Sequence, residues 1–154
     1  MVRIEHANLS VVKLEDSLDF ILTAFPEWKI RAKGKNVWHG VERQWLHVGD
    51  DDYYLSLNDN AIGENRNLSG HSPGLAHIAF VVDDIDNIVN RLTQKGYQIR
   101  VDMLNSHPFR KIAYFIEPSG FEFEFIEYLS QQPAEKNRYD NIGSTTVSFA
   151  AENN

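Results

Sequence analysis

Polar and apolar residues alternate from Val2 to Val12. Ile4, His6, Asn8 and Ser10 fall on one face of an extended chain, and Ala7, Leu9 and Val11 on the other. A period of two predicts a strand. The period then lengthens. Leu14, Leu18, Ile21, Leu22 and Phe25 recur at spacings of three and four, which predicts an amphipathic helix over 14–25. Pro26 ends it, because the residue before a proline avoids the helical region. Trp28–Ala32 reads as a short strand and Lys33-Gly34-Lys35-Asn36 as its turn. Two strands follow, Arg43–Val48 and Tyr53–Leu57, joined by Gly49-Asp50-Asp51-Asp52. Asp59–Pro73 has no period and is rich in Gly, Asn and Ser, as a linker would be.

The second half repeats the first. Leu75–Val82 reads as a strand, Ile85–Lys95 as an amphipathic helix with Gly96 just past its end, and Gln98–Val101 as a strand. Arg110–Ile116 is a further strand, and Pro118-Ser119-Gly120 turns the chain into Phe121–Leu129. The shift that sets His6 on His77 also sets Leu9 on Phe80, Val11 on Val82, Leu14 on Ile85 and Leu18 on Val89. Such internal duplication predicts an α+β chain of two β-α-β-β-β modules. One helix per module covers one sheet face. The other face is left to form a cup, between the halves or between subunits. The expected organisation is a single domain over 1–130, with module one at 1–58, a linker at 59–73 and module two at 74–130. Residues 131–154 form a C-terminal tail, within which Thr145–Phe149 has the pattern of an edge strand. One asymmetry stands out: Asp84 is a good helix N-cap, whereas Lys13 in the matching place cannot accept amide hydrogen bonds.

Composition narrows the function classes. The chain has 154 residues, 42% hydrophobic and 24% charged, as a globular domain does. Fifteen basic residues against 22 acidic ones give a net charge of −7, which repels phosphate backbones and argues against nucleic acid as a partner. The absence of cysteine excludes a disulfide framework, a thiolate zinc site and a cysteine nucleophile. No apolar run approaches the roughly 18–20 residues of a membrane span, and the N-terminus has no apolar signal core. A cytoplasmic location and no membrane partner are the expectations.

His6 and His77 occupy matching places on the first strand of each module. Strand alternation puts Glu122 and Glu124 on one face of the last strand and Phe121, Phe123 and Phe125 on the other. With the phenylalanines under a helix, the carboxylates face the cup. His6, His77 and Glu124 then form a two-histidine, one-carboxylate set for one divalent metal ion, such as iron, manganese, zinc or nickel. Three protein ligands leave positions open for substrate. His107-Pro108-Phe109-Arg110 precedes the seventh strand. There His107 is the candidate for proton transfer and Arg110 for holding an anion. Trp38, His39, Trp45 and His47 are candidates for lining the first module, and Glu122 for supporting a ligand.

Three stretches carry a resemblance. Ile4-Glu5-His6-Ala7-Asn8-Leu9, Gly74-Leu75-Ala76-His77-Ile78-Ala79-Phe80-Val81-Val82-Asp83-Asp84 and Glu117-Pro118-Ser119-Gly120-Phe121-Glu122-Phe123-Glu124 resemble the opening strand, the second-module start and the closing motif of the vicinal oxygen chelate superfamily. That group includes glyoxalase I, extradiol dioxygenases, fosfomycin-resistance thiol transferases and bleomycin-binding proteins. The resemblance covers residues 3 to about 129. It implies paired modules forming a cupped mixed sheet, sites often shared across a homodimer, and metal ligands at His6, His77 and Glu124. Its fourth ligand position falls at Tyr54 or Ser56, neither of them a carboxylate. Glu117 and Phe121 replace the aspartate and asparagine of the closing turn. The expected function is a metal-dependent enzyme acting on a small oxygenated substrate, of the lyase or isomerase, dioxygenase or thiol transferase class. The alternative is a metal-free drug- or metabolite-binding protein of the same fold.

Overall fold

The computed structural model describes residues 2–100 and 107–139. The first module runs β1 (His6–Ser10), α1 (Leu14–Ala24), β2 (Lys29–Trp38), β3 (Val41–Gly49) and β4 (Tyr54–Asn58). The second runs β5 (Ile78–Val81), α2 (Ile85–Gln94), β6 (Arg110–Ile116) and β7 (Glu122–Tyr128), followed by a short helix α3 (Pro133–Lys136). Each module builds its own mixed sheet, ordered β1-β4-β3-β2 in the first and β5-β7-β6 in the second. In both, the first strand lies parallel to the last, and the remaining pairings are antiparallel. The α+β class and the repeat are as expected.

The two sheets share one core. Leu9, Val11, Leu46, Val48, Leu55 and Leu57 come from the first sheet, and Phe115, Phe123 and Phe125 from the second. Helices α1 and α2 pack on each other, and α1 reaches across the modules. Its Phe20 meets the Phe123 ring edge-on at 5.2 Å, and Phe25, just past its end, lies 5.7 Å from Phe125. Such buried ring pairs are worth more than their area alone, because an edge-on contact like that of Phe20 with Phe123 adds about 0.5–1.5 kcal/mol. Arg91 on α2 donates to the carbonyls of Thr23 and Ala24, satisfying two acceptors that the end of α1 leaves open. Asp19 accepts from Lys95 and Tyr97, so the two helices are also joined at their exposed edge. The Lys95 bond holds the Asp19 carboxyl below its ordinary range. Burial, with Asp19 beside it, pushes the Tyr97 hydroxyl up to about 12.

Asp84 caps α2 by accepting the Asn87 N–H at 3.0 Å, while Lys13 makes no side-chain cap for α1. Gly96 follows α2 with a positive φ, as its place predicted. Three expectations are corrected. Lys33-Gly34-Lys35-Asn36 is not a turn but the middle of the ten-residue β2; the chain reverses instead at His39 and Gly40, both with positive φ. Two such residues make the primed two-residue turn that suits the twist of a hairpin. Gly34 serves a different purpose: a Cβ there would lie 2.8 Å from Cζ2 of Trp45, so its bareness lets the indole lie across β2. The strand expected at 98–101 reduces, among the described residues, to a single bridge between Ile99 and Phe115. β1 is shorter than its alternation, because only His6–Ser10 finds a partner in β4. Thr145–Phe149 lies outside the described residues. Among the described residues no helix is long and apolar enough to cross a membrane.

Candidate active site

The open face of each sheet is set by strand alternation opposite the core. In the first module this face carries His6, Asn8 and Ser10 of β1, Tyr54, Ser56 and Asn58 of β4, and Trp45 and His47 of β3. Four rings form a continuous row. Trp45 lies 5.0 Å from His47, His47 lies 4.6 Å from Tyr54, and Tyr54 stacks on His6 at 4.7 Å. The Arg31 guanidinium sits 4.5 Å above the Tyr54 ring. His6 also meets Glu5 through Nδ1 at 2.9 Å. Burial, aided by the charges of His6 and Arg31, pulls the His47 imidazole below its ordinary pKa. His47 is therefore a neutral imidazole at pH 7, able to accept a proton. At the edge of this face, a groove of about 450 Å³ runs along the seam between β1 and β5, lined by His6, Tyr54, Trp28, Phe25, Phe80 and Val81.

The second module carries Glu122 and Glu124 of β7, Tyr114 and Arg110 of β6, and Ala79 of β5 on its open face. His77, two residues before Ala79, projects the same way. Its Nε2 lies 3.1 Å from Oε2 of Glu124, and its Nδ1 faces Oε1 of Glu122 at 4.0 Å. Each carboxylate is held from behind. Tyr114 donates its hydroxyl to Oε1 of Glu124 at 2.8 Å, and Arg100 pairs with Oε2 of Glu122. Burial and then the bond to Glu124 push the Tyr114 hydroxyl well above its ordinary range, so it remains a donor throughout the neutral region. Glu122 and Glu124 are 5% and 6% exposed, whereas the His77 side chain is 41% exposed. The carboxylates are thus fixed, and the imidazole is the accessible member.

His77 and Glu124 are brought together; His6 is in the other sheet, stacked on Tyr54. No group of three His, Asp or Glu side chains able to hold one ion forms within the chain among the described residues. Of the two residues at the fourth position, Tyr54 is the neighbour of His6 across β1 and β4, and Ser56 pairs with Asn8. His107 and Arg110 are both buried at the far end of the second sheet. Nε2 of His107 and Nη2 of Arg110 meet the carbonyl of Arg138, and Nδ1 of His107 accepts the Phe109 N–H. Trp38 and His39 lie at the exposed hairpin turn, away from the row formed by Trp45 and His47. Tyr114, Arg100 and the place of His47 beside His6 were not foreseen. Tyr114 falls opposite Glu124 once the Pro118–Gly120 turn sets the register of β6 on β7, so hairpin register was the available signal.

A chain of two repeated modules, each with a helix over a mixed sheet whose first strand lies parallel to its last, and with imidazoles and a supported carboxylate on its open sheet faces, is of the paired-module α+β class. The model of the Glyoxalase/Bleomycin resistance protein/Dioxygenase superfamily matches residues 3–125, and the chain belongs to that superfamily. Solved structures share the fold. The glyoxylase/bleomycin resistance protein/dioxygenase domain from Frankia sp. EAN1pec has a TM-score of 0.67 at 19% identity, over 83% of this chain and 98% of that one. The trypanothione-dependent glyoxalase I of Leishmania major has a TM-score of 0.63 at 20% identity, over 82% and 87%. TnmS3, an antibiotic binding protein from Streptomyces sp. CB03234, has a TM-score of 0.57 at 20% identity, over 83% and 97%. One fold therefore serves both an enzyme and a binding protein, and the site must decide between them.

Proposed function

We propose that the protein is a metal-dependent enzyme acting on a small oxygenated substrate, with one divalent ion held by His77, Glu124 and His6. The observation that carries this reading is the His77–Glu124 pair with its supports. Two ligand atoms at the usual ~2.0–2.2 Å from a divalent ion, set roughly at right angles, stand about 3 Å apart. Nε2 of His77 and Oε2 of Glu124 are 3.1 Å apart, so the pair fits such an ion with little rearrangement. Tyr114 fixes the carboxylate, and the Glu122 carboxylate stands 4.0 Å from the other ring nitrogen of His77. His6 completes the set from a second copy of the chain, in a homodimer that lays the first sheet of one protomer over the second sheet of its partner. The charges of the two faces support that pairing: the Arg31 guanidinium on one, Glu122 and Glu124 on the other.

An ion so placed supplies Lewis-acid stabilisation of negative charge developing on a substrate oxygen. Neutral His47, on the same face as His6, is the side chain placed to accept a proton. Trp45 and Tyr54 offer ring surfaces that position the substrate.

The test is metal content, measured on protein purified without chelator or nickel. About one ion per chain is expected, lost in His77→Ala and in Glu124→Ala. His6→Ala and His77→Ala chains, each unable to bind alone, should recover binding on mixing, since a mixed dimer restores one intact site. Failure of that recovery, with dimers formed, refutes the shared site. The second reading, a metal-free binder of a drug or metabolite, is favoured by the aromatic groove beside Trp28 and Phe80. It would be adopted if no ion is found and none of iron, manganese, zinc or nickel is taken up.

A further inference from the structure

The open face of the second sheet ends at Arg110 and Tyr128, which pair across β6 and β7. Beyond Tyr128 the chain folds back. Leu129 donates to the Phe109 carbonyl, the Ser130 hydroxyl bonds Glu135, and α3 follows with no buried side chain. Arg138 and Tyr139 then return over Arg110. A single oxygen, the carbonyl of Arg138, meets two donors there: Nε2 of His107 at 3.0 Å and an Nη2 N–H of Arg110. The Tyr139 ring lies 4.6 Å from the Arg110 guanidinium and the Tyr128 ring 5.9 Å.

Arg110 is 5% exposed, yet no carboxylate pairs with it among the described residues, and its Nε N–H has no acceptor there. A buried guanidinium normally carries a paired negative charge, because a neutral acceptor offsets only part of its lost hydration. Two donors converging on one oxygen, one of them permanently charged, suit a carboxylate better than a peptide carbonyl. The segment supplying that carbonyl is exposed, and α3 within it buries no side chain. Segments of this kind open at low cost.

We infer that His107 and Arg110 form an anion subsite plugged by the chain's own Arg138 carbonyl, and that an aromatic carboxylate displaces residues 133–139 from it. The carboxylate takes the place of the carbonyl oxygen, and the aromatic ring that of Tyr139. The subsite lies on the same face as Glu124, with Ile112 between Arg110 and Tyr114, the residue opposite Glu124. It requires no metal, so it stands or falls separately from the metal reading.

The experiment titrates the metal-free full chain with benzoate at constant ionic strength, with benzamide as the uncharged control, following backbone amide resonances. Benzoate should saturate and move the resonances of 133–139 toward those of unstructured chain, and benzamide should not. Tyr139→Ala removes a competing contact of cation–π strength and should tighten benzoate about threefold or more. Arg110→Met should weaken it about tenfold or more, and His107→Gln, which keeps a hydrogen-bonding side chain, should weaken it severalfold with the fold retained. The inference is overturned by any of three results: no saturation, binding that leaves 133–139 in place, or equal effects of benzoate and benzamide. Unchanged affinity in Tyr139→Ala also overturns it.

Discussion

Glu117 is 1% exposed, and its carboxyl is spent on holding the first helix to the closing turn. Ser17 of α1 donates its hydroxyl to Oε1, and the Ser119 N–H donates to Oε2 at 3.0 Å. Burial raises the Glu117 pKa despite those bonds. The sign of the consequence follows directly. The unfolded chain gives up this proton near the ordinary carboxylate pKa, while the folded chain keeps it to higher pH. Folding therefore takes up a proton. The contribution to stability is fully present below the ordinary value and is lost as pH rises through the raised one, at about 1.4 kcal/mol for each unit of difference. Glu117→Gln removes the charge and keeps both bonds, with the amide oxygen accepting from Ser119 and the amide nitrogen donating to the Ser17 oxygen. It should stabilise the protein by about 1 kcal/mol at pH 7–8, with the gain vanishing near pH 4. Glu117→Leu leaves a hydroxyl and an N–H without the carboxylate as acceptor and should cost about 2–4 kcal/mol at pH 4 and about 1 kcal/mol less at pH 7–8. Urea unfolding of the three proteins across pH 4–8 measures all of this. A Glu117→Gln variant that loses stability at pH 7, or a gain that persists unchanged at pH 4, would refute the reasoning.

Three further outcomes are expected. Gly34→Ala should cost about 1–3 kcal/mol in denaturant unfolding and shift the tryptophan emission, because its methyl group displaces the Trp45 ring; an unperturbed spectrum would contradict the close approach. Tyr114→Phe should lower the affinity for the metal about 10–100-fold in a competitive chelator titration without altering the fold, by freeing the Glu124 carboxylate. Asp84→Ala should lose about 1 kcal/mol, and Lys13→Ser should gain a comparable amount, since one helix has its cap and the other lacks one; equal effects of opposite sign in thermal unfolding would confirm the asymmetry.

The fold was legible wherever one period dominated. β6 carries the bounds its pattern predicted, and both helices end within a residue of expectation, at Pro26 and before Gly96. Turn chemistry was the weak point. Lys33-Gly34-Lys35-Asn36 has turn composition, but its glycine answers to a tryptophan on the neighbouring strand, a tertiary demand that local composition does not encode. His39-Gly40 makes the real turn, and only the glycine there advertises a positive φ. The strand expected at 98–101 had enough apolar residues to be read as one, but ladder pairing is a property of the neighbour and not of the segment.

The candidate site was legible by face and not by partner. Duplication correctly makes His6 and His77 equivalent, and equivalence is all that it states. His6 begins β1 and His77 immediately precedes β5, and each first strand pairs with the last strand of its module. The carboxylate of β7 therefore comes to His77, while the corresponding place on β4 holds Ser56 and His6 stacks on Tyr54 instead. The asymmetry between Glu124 and Ser56 gives one module a ligand pair and leaves the other with an imidazole in a ring stack. Two helices and a shared phenylalanine core stand between the sheets of one chain, so the open faces look outward, and the polar row of one is available to the carboxylates of another. That arrangement is why mixing chains mutated separately at His6 and His77 is more informative than either variant alone: it asks whether equivalent residues act in one site, which neither repeat symmetry nor strand alternation can decide.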